Sequence, residues 1–267
     1  GWRGDMLIDA HSHVDMYGDA LESALEQISQ HRILTISCSM GLPSYEKNLR
    51  VAEECEWVVP AFGVHPWEAP KYVDRLDDLP DVVKQAAMLG EIGLDHHYVE
   101  DASQYPAQRT VFEFFLAAAR EQDKLVNLHV KGAEVEALDL LNRYDIARAI
   151  VHWYSGPLDA FLKFVDRGVF FSMGVGVLDS EHVRMIAQRV PSELLLTETD
   201  NPGGIKSVRG APGMPLLIRE VFDTLAEVRK TTVEAIERTV QANLERCFRG
   251  DRWLTGAHHR FFGGTSE

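Results

Sequence analysis

Apolar residues recur along this chain in two alternating rhythms. Short, nearly all-apolar runs at residues 6–10, 33–37, 57–64, 87–92, 125–129, 146–152, 169–173 and 194–198 read as β-strands. Such runs have no polar face to turn toward water, so they predict strands buried on both faces, as in a parallel sheet. Between and after them, apolar positions return every three to four residues at 20–29, 45–54, 107–122, 135–142, 158–166, 180–189, 215–229 and 232–248. That spacing stacks apolar side chains on one face of a helix. Strand–helix alternation repeated eight times fits an α/β fold of (β/α)8 TIM-barrel type better than an open doubly wound sheet.

No linker rich in Gly, Pro or Ser divides the pattern, so residues 1–267 read as one barrel unit with its core at about 6–248. The glycine-bearing stretch 201–215 reads as a strand-to-helix loop, which in a barrel lies on the catalytic face. The tail 249–267 is expected to be irregular, either partly disordered or packed on the barrel bottom, and residues 1–5 are either native chain or an added remnant.

Composition changes this picture little. With 45% hydrophobic and 25% charged residues the chain is neither disordered nor collagenous. No apolar run nears the roughly 20 residues that cross a bilayer. A basic, apolar leader is missing and the three cysteines (Cys38, Cys55, Cys247) show no CxxC spacing, so reduced thiols in a cytoplasmic protein are expected. No obligate protein partner is evident. The 27 basic and 41 acidic residues leave a net charge of −14, which argues against a broad basic face for duplex DNA. Bound metal ions can still make one pocket locally positive.

The eleven histidines change the picture more. The first strand ends in Asp9-Ala10-His11-Ser12-His13, and residues two apart on a strand point the same way. Other strand ends carry His65, Glu91, His129, His152 and Asp200. In a barrel the carboxyl ends of the strands form the catalytic face. Imidazole and carboxylate there suit hard and borderline divalent ions. His11, His13 and Asp200 would make one site and His129 and His152 a second, with Glu91 placed to bridge them. Two such ions generate a nucleophile from water and clamp the attacking and leaving oxygens. Asp200, beside the first ion, is the best-placed general base.

His11-Ser12-His13, the Gly-Val-His-Pro run at 63–66, Gly-Glu-Ile-Gly-Leu-Asp at 90–95, His129, His152 with Ser155-Gly156, Glu198-Thr199-Asp200 and the late run at 243–248 together resemble the TatD family of metal-dependent deoxyribonucleases. The likeness runs from about Leu7 to Phe248. It implies a barrel of the amidohydrolase superfamily, Mg- or Mn-dependent phosphodiesterase activity on DNA and a cytoplasmic location; imidazole ligands also suit Zn, so the two divalent ions expected are Mg, Mn or Zn. By motif position it makes His11, His13, Glu91, His129, His152 and Asp200 the metal ligands and His65 a substrate contact. The chain departs from the family at Lys131, where Arg is usual, at Trp153-Tyr154, where Cys-Phe is usual, and at Asn201-Pro202-Gly203-Gly204. Lys131 pairs with phosphate as a point charge, without a bidentate fork. The alternative reading is a hydrolase of a small amide, lactone or ester, because the same kind of site can polarise a carbonyl.

Other residues carry open alternatives. Trp67, Trp153 and Tyr154 either stack on bases of single-stranded DNA or pack between loops. Asp95 either orients a ligand or caps a loop. Glu198 either supports the site from behind or pairs with a cation. His31 suits a helix C-terminus. His96 and His97 read as loop polar groups, His182 as a solvated helix residue, and His258 and His259 as tail residues.

Overall fold

Eight parallel strands and the helices between them account for most of the chain. The structure, a computed structural model, describes residues 6–263. The strands are β1 (Leu7–Ser12), β2 (Ile33–Ser37), β3 (Val58–Pro60), β4 (Leu89–Asp95), β5 (Val126–Lys131), β6 (Ala149–His152), β7 (Phe170–Met173) and β8 (Leu195–Thr197). Each pairs in parallel with its neighbour from β1 to β3 and from β4 to β8. A parallel bridge from Phe62 to Leu89 joins the two runs. The ring closes between β8 and β1, where Asp200 N–H donates to His11 O (2.8 Å), His13 N–H to Asn201 O (2.8 Å) and Thr197 Oγ1 to Ile8 O (2.6 Å). The result is the (β/α)8 barrel that the alternation predicts.

The helices are α1 (Leu21–Gln30), α2 (Leu42–Glu54), α3 (Ala69–Tyr72), α4 (Pro80–Gln85), α5 (Tyr105–Gln122), α6 (Glu134–Arg143), α7 (Leu158–Arg167), α8 (Glu181–Arg189), α9 (Lys206–Arg209), α10 (Ile218–Val228), α11 (Val233–Phe248) and α12 (Thr255–Phe262). Their apolar faces cover the strands: Phe112, Phe115 and Leu116 of α5 are fully buried, as are Val240 and Leu244 of α11. Among the described residues no helix is long and apolar enough to cross a membrane.

The structure corrects the sequence reading in three places. Residues 66–85 hold α3 and α4, which are too short to show a helical period and are marked only by a proline in the first turn. Lys206–Arg209 forms another short helix inside the loop expected at 201–215. The tail to residue 262 is not irregular: it folds back as α12, buries Phe261 against Trp57 (ring centroids 5.4 Å apart) and is anchored by Arg148 on Asp251 (2.7 Å). The readings made for residues 1–5 and 264–267 lie outside the described residues.

One close approach shapes the catalytic end of β4. A Cβ on Gly93 would lie 1.8 Å from the backbone oxygen of His129, so only glycine lets β4 and β5 come this near.

Candidate metal centre

Glu91, buried on β4, lies at the centre of the barrel mouth. Its two oxygens divide the surrounding imidazoles. Oε1 faces His13 Nε2 at 3.1 Å and His11 Nε2 at 3.2 Å, while Oε2 faces His129 Nδ1 at 2.9 Å and His152 Nε2 at 3.1 Å. Asp200 Oδ1 approaches the first pair at 3.3 Å (His13) and 3.5 Å (His11). All six residues singled out as ligands are thus within one small volume. Asp200 reaches it from beyond the end of β8, in the left-handed region at φ 59°, which aspartate tolerates better than most residues.

Each ring's other nitrogen is occupied by a hydrogen bond that fixes which nitrogen is bare. His11 Nδ1–H donates to Asn127 Oδ1 (2.7 Å), and the Asn127 amide is oriented by donating to Ala10 O (2.9 Å). His13 Nδ1–H donates to Cys38 O (3.0 Å), His152 Nδ1–H to Glu198 Oε2 (3.0 Å) and His129 Nε2–H to Asp95 Oδ2 (2.8 Å). In these neutral tautomers four bare nitrogens face the oxygens of one carboxylate at about 3 Å. Lone pair against lone pair at that range repels unless a cation lies among them.

Two further observations show that a divalent ion fits. His11 Nε2 and Glu91 Oε1 are buried without any hydrogen-bond partner, which is costly for groups meant to stay unpaired. The ligand atoms of His11, His13 and Glu91 lie within 4.8 Å of one another, as do those of His11, His152 and Asp200 and those of His65, Glu91 and His129. A donor set of imidazole and carboxylate suits borderline divalent ions.

His65 is built differently. It precedes a short turn at Pro66–Glu68 and its Nδ1 accepts the backbone N–H of Trp67 (3.1 Å), so in the neutral ring Nε2 carries the proton. That N–H points toward Glu91 Oε2 at 3.5 Å. Burial pushes the His65 pKa down to about 4, with the charges of His129 and His13 adding to the effect, so the ring is a neutral donor. Burial would raise the Glu91 and Asp200 carboxyls, but the facing histidines outweigh it and both stay ionised, Asp200 at about 2. Burial likewise opposes protonation of His152, yet Glu198 and Glu91 lift it to about 10. Protons therefore compete for the positions that could hold a metal.

The centre opens into a cavity of about 380 Å³. Lys131 lines it, with Nζ donating to Trp153 O and to Ser155 Oγ (2.9 Å), and burial lowers its pKa to about 8. Of the aromatic residues considered for stacking, Trp67 is 47% exposed at the rim. Trp153 also lines the cavity, at φ 45° in a region that costs a bulky residue about 1–3 kcal/mol, held by Trp153 N–H on Glu198 Oε1 (2.9 Å). Tyr154 does not reach it: the ring is fully buried against Phe161, Phe164 and Phe171, and its hydroxyl donates to Pro157 O. Asp95 and Glu198 each hold the far nitrogen of a ring facing Glu91, those of His129 and His152. Asp95 also caps the following turn, through the backbone N–H groups of His97 (2.9 Å) and Tyr98 (2.7 Å).

The remaining histidines lie apart from the centre. His96 stacks on Tyr105, His182 is bonded to Gly156 O, and His258, a helix residue, contacts Glu245. Sequence reasoning missed Asn127. Its signal was the period of two along β5, which turns Asn127 and His129 to the same face.

The chain is similar in sequence and fold to known metal-dependent hydrolases. The sequence profile of the family described as TatD related DNase matches residues 8–249. An uncharacterised metal-dependent hydrolase of Haemophilus influenzae is 25% identical over 91% of this chain and 100% of its own length. The human deoxyribonuclease TATDN3 is 23% identical over 91% of this chain and 94% of its own. Among solved structures, a TatD homologue of Escherichia coli superposes with a TM-score of 0.84 at 26% identity, covering 92% of this chain and 98% of that one. An Escherichia coli phosphotriesterase homology protein shares the fold, at a TM-score of 0.65 and 16% identity over 88% of this chain and 96% of its own. With a family match spanning nearly its whole length, the chain belongs to the TatD-related DNase family.

Proposed function

We propose that this family member hydrolyses phosphodiester bonds of DNA with two divalent ions, Mg, Mn or Zn, and that residues 1–267 act as one hydrolase unit. The chain is a metal-dependent hydrolase by family. The observation that carries the finer reading is the division of Glu91, one oxygen facing His11 and His13 and the other His129 and His152. His11, His13 and Asp200 would hold one ion, His129 and His152 the other, with Glu91 between. When bound, such ions lower the pKa of water and offset charge on phosphoryl oxygens.

The chain's own groups divide the rest of the work. Asp200 is the ligand carboxylate that solvent can reach, its side chain 21% exposed against 2% for Glu91. A proton acceptor must touch the water it deprotonates, so Asp200 takes the proton. His65, held neutral with Nε2–H directed inward, donates to a phosphoryl oxygen and stabilises charge as it develops there. Lys131 sets a positive charge on the cavity wall for the phosphate or its neighbour.

The test is one panel of substrates with Mn²⁺-, Mg²⁺- and Zn²⁺-loaded protein: single-stranded DNA, RNA, a simple phosphodiester, a simple amide and a lactone. Cleavage of DNA and the simple diester is expected. Hydrolysis of the amide or lactone with no diester cleavage would overturn the reading in favour of a carbonyl hydrolase.

A further inference from the structure

We infer that Asp95 is a positioning residue that builds a nucleobase wall and orients a metal ligand with the same carboxylate, so that substrate and metal binding are coupled. The inference rests on the phosphodiesterase reading for the identity of the base, not for the coupling. Asp95 is fully buried at the end of β4, and four donors converge on it. Oδ2 accepts both His129 Nε2–H (2.8 Å) and the indole N–H of Trp67 (2.8 Å). Oδ1 accepts the backbone N–H groups of His97 and Tyr98. Its own backbone is clamped by Gln108, which donates to Asp95 O and accepts Asp95 N–H, both at 2.9 Å. The His129 ring therefore keeps Nδ1 bare because Asp95 holds its other nitrogen.

The same contacts fix the cavity wall. Trp67 is half exposed and Tyr98 is 63% exposed, unusual for large rings at a polar site. Their rings meet edge to face at 6.0 Å, and Trp67 also meets the His65 and His129 rings at 4.6 and 6.1 Å. An exposed indole tied by its N–H cannot turn away, so its face is presented in one orientation. Met16, 45% exposed, lines the cavity with them. A planar, uncharged ring beside a phosphate suits this surface, which is the chemistry of an unpaired base. Stacked bases on duplex DNA have no face to offer it.

Mn²⁺ binding by calorimetry, and binding of thymidine 5′-monophosphate against deoxyribose 5-phosphate, separate the parts. Asp95→Asn keeps the size but turns an N–H2 toward His129 or the turn, so Mn²⁺ affinity should fall about 10- to 100-fold. Preference for the nucleotide over the base-free phosphate should fall with it. Trp67→Phe keeps the His129 bond and should leave Mn²⁺ affinity within twofold. Tyr98→Ala, at an exposed position, tests the wall if Asp95→Asn does not fold. Loss of the full wall in Trp67→Ala should cost about 5- to 150-fold in that preference, the range of one stacked base. Unchanged Mn²⁺ affinity in folded Asp95→Asn would overturn the orienting role. Equal binding of the two phosphates by the unaltered protein would overturn the base wall, whichever substrates are cleaved. Failure to cleave any diester would instead refute the phosphodiesterase reading and leave the coupling to stand on the Mn²⁺ data.

Discussion

Replacing Glu91 with glutamine tests the centre most directly. The substitution keeps the volume, removes one negative charge and turns one oxygen into an N–H2. Glu91 lies 2.9–3.2 Å from four bare imidazole nitrogens, and a divalent ion held between such a pair would sit about 2.1 Å from each donor. At about 2.1 Å and an effective dielectric near 20, one unit of charge is worth about 8 kcal/mol for each unit on the cation, or about 16 kcal/mol against a dication. The ionised carboxylate, however, costs several kcal/mol to bury, and the amide avoids that cost. A net loss of at least about 4 kcal/mol remains, roughly 1,000-fold or more in affinity. Glu91→Gln should therefore keep the fold by circular dichroism, drop from two bound ions to one or none by metal analysis at limiting Mn²⁺, and lose most activity. A folded variant that binds two ions with unchanged affinity would refute the bridging role.

Four further outcomes follow from the same geometry. His65→Phe should leave metal content unchanged yet lower kcat about 100-fold, as expected for loss of one donor to a developing charge; a loss of metal would make His65 a ligand instead. Asn127→Leu removes the partners of the His11 N–H and Ala10 carbonyl, so it should cost about 1–3 kcal/mol in urea unfolding for each group left unpaired, and weaken Mn²⁺ binding. Burial lowers Lys124 from 10.5 to about 8 in the folded chain, so between those values the unfolded chain binds the extra proton and stability rises with pH; Lys124→Met should flatten that rise, measured by unfolding at pH 8 and 10. Arg209 is already paired with Glu220 (2.7 Å), and with about one phosphate neutralised, by Lys131, the log–log salt slope of KM for single-stranded DNA should be near 0.7 in magnitude; a value above 4 would reveal a basic track.

The strands and their catalytic ends were legible because a buried parallel strand must be apolar throughout, and a histidine or glutamate closing such a run has no packing reason to be there. The six clustered side chains were readable on that basis alone. What each imidazole presents was not. The tautomer of His11 depends on Asn127 of β5, that of His13 on a carbonyl of Cys38, and that of His152 on Glu198 beyond β8, partners 116, 25 and 46 residues away. Pairings across a barrel follow from its closure, which no local pattern contains. Tyr154 misled for a related reason: it sits one residue from Trp153 in sequence, but the left-handed turn at Trp153 sends the two rings to opposite environments. The helix at Thr255–Phe262 escaped notice because eight residues are too few to display a period.

Four carboxylates meet at this centre, and position separates what they do. Glu91 is buried and faces imidazole on both oxygens, the position that the proposed bridging charge requires. Asp200 is the one that solvent reaches, which is why it is proposed as the proton acceptor. Asp95 and Glu198 touch no bare nitrogen. They sit behind His129 and His152, where each holds an N–H and makes the opposite nitrogen a stronger donor toward a cation. Counting those two rear carboxylates with Glu91 and Asp200 gives four negative charges, which would match the four positive charges of the two proposed ions. The pocket is then close to neutral apart from Lys131. On the proposed reading an anionic polymer would be held here by directed contacts, the His65 donor, the Lys131 ammonium and the Trp67 face, more than by a long-range field, and a chain with a net charge of −14 would in that way act on an acidic substrate.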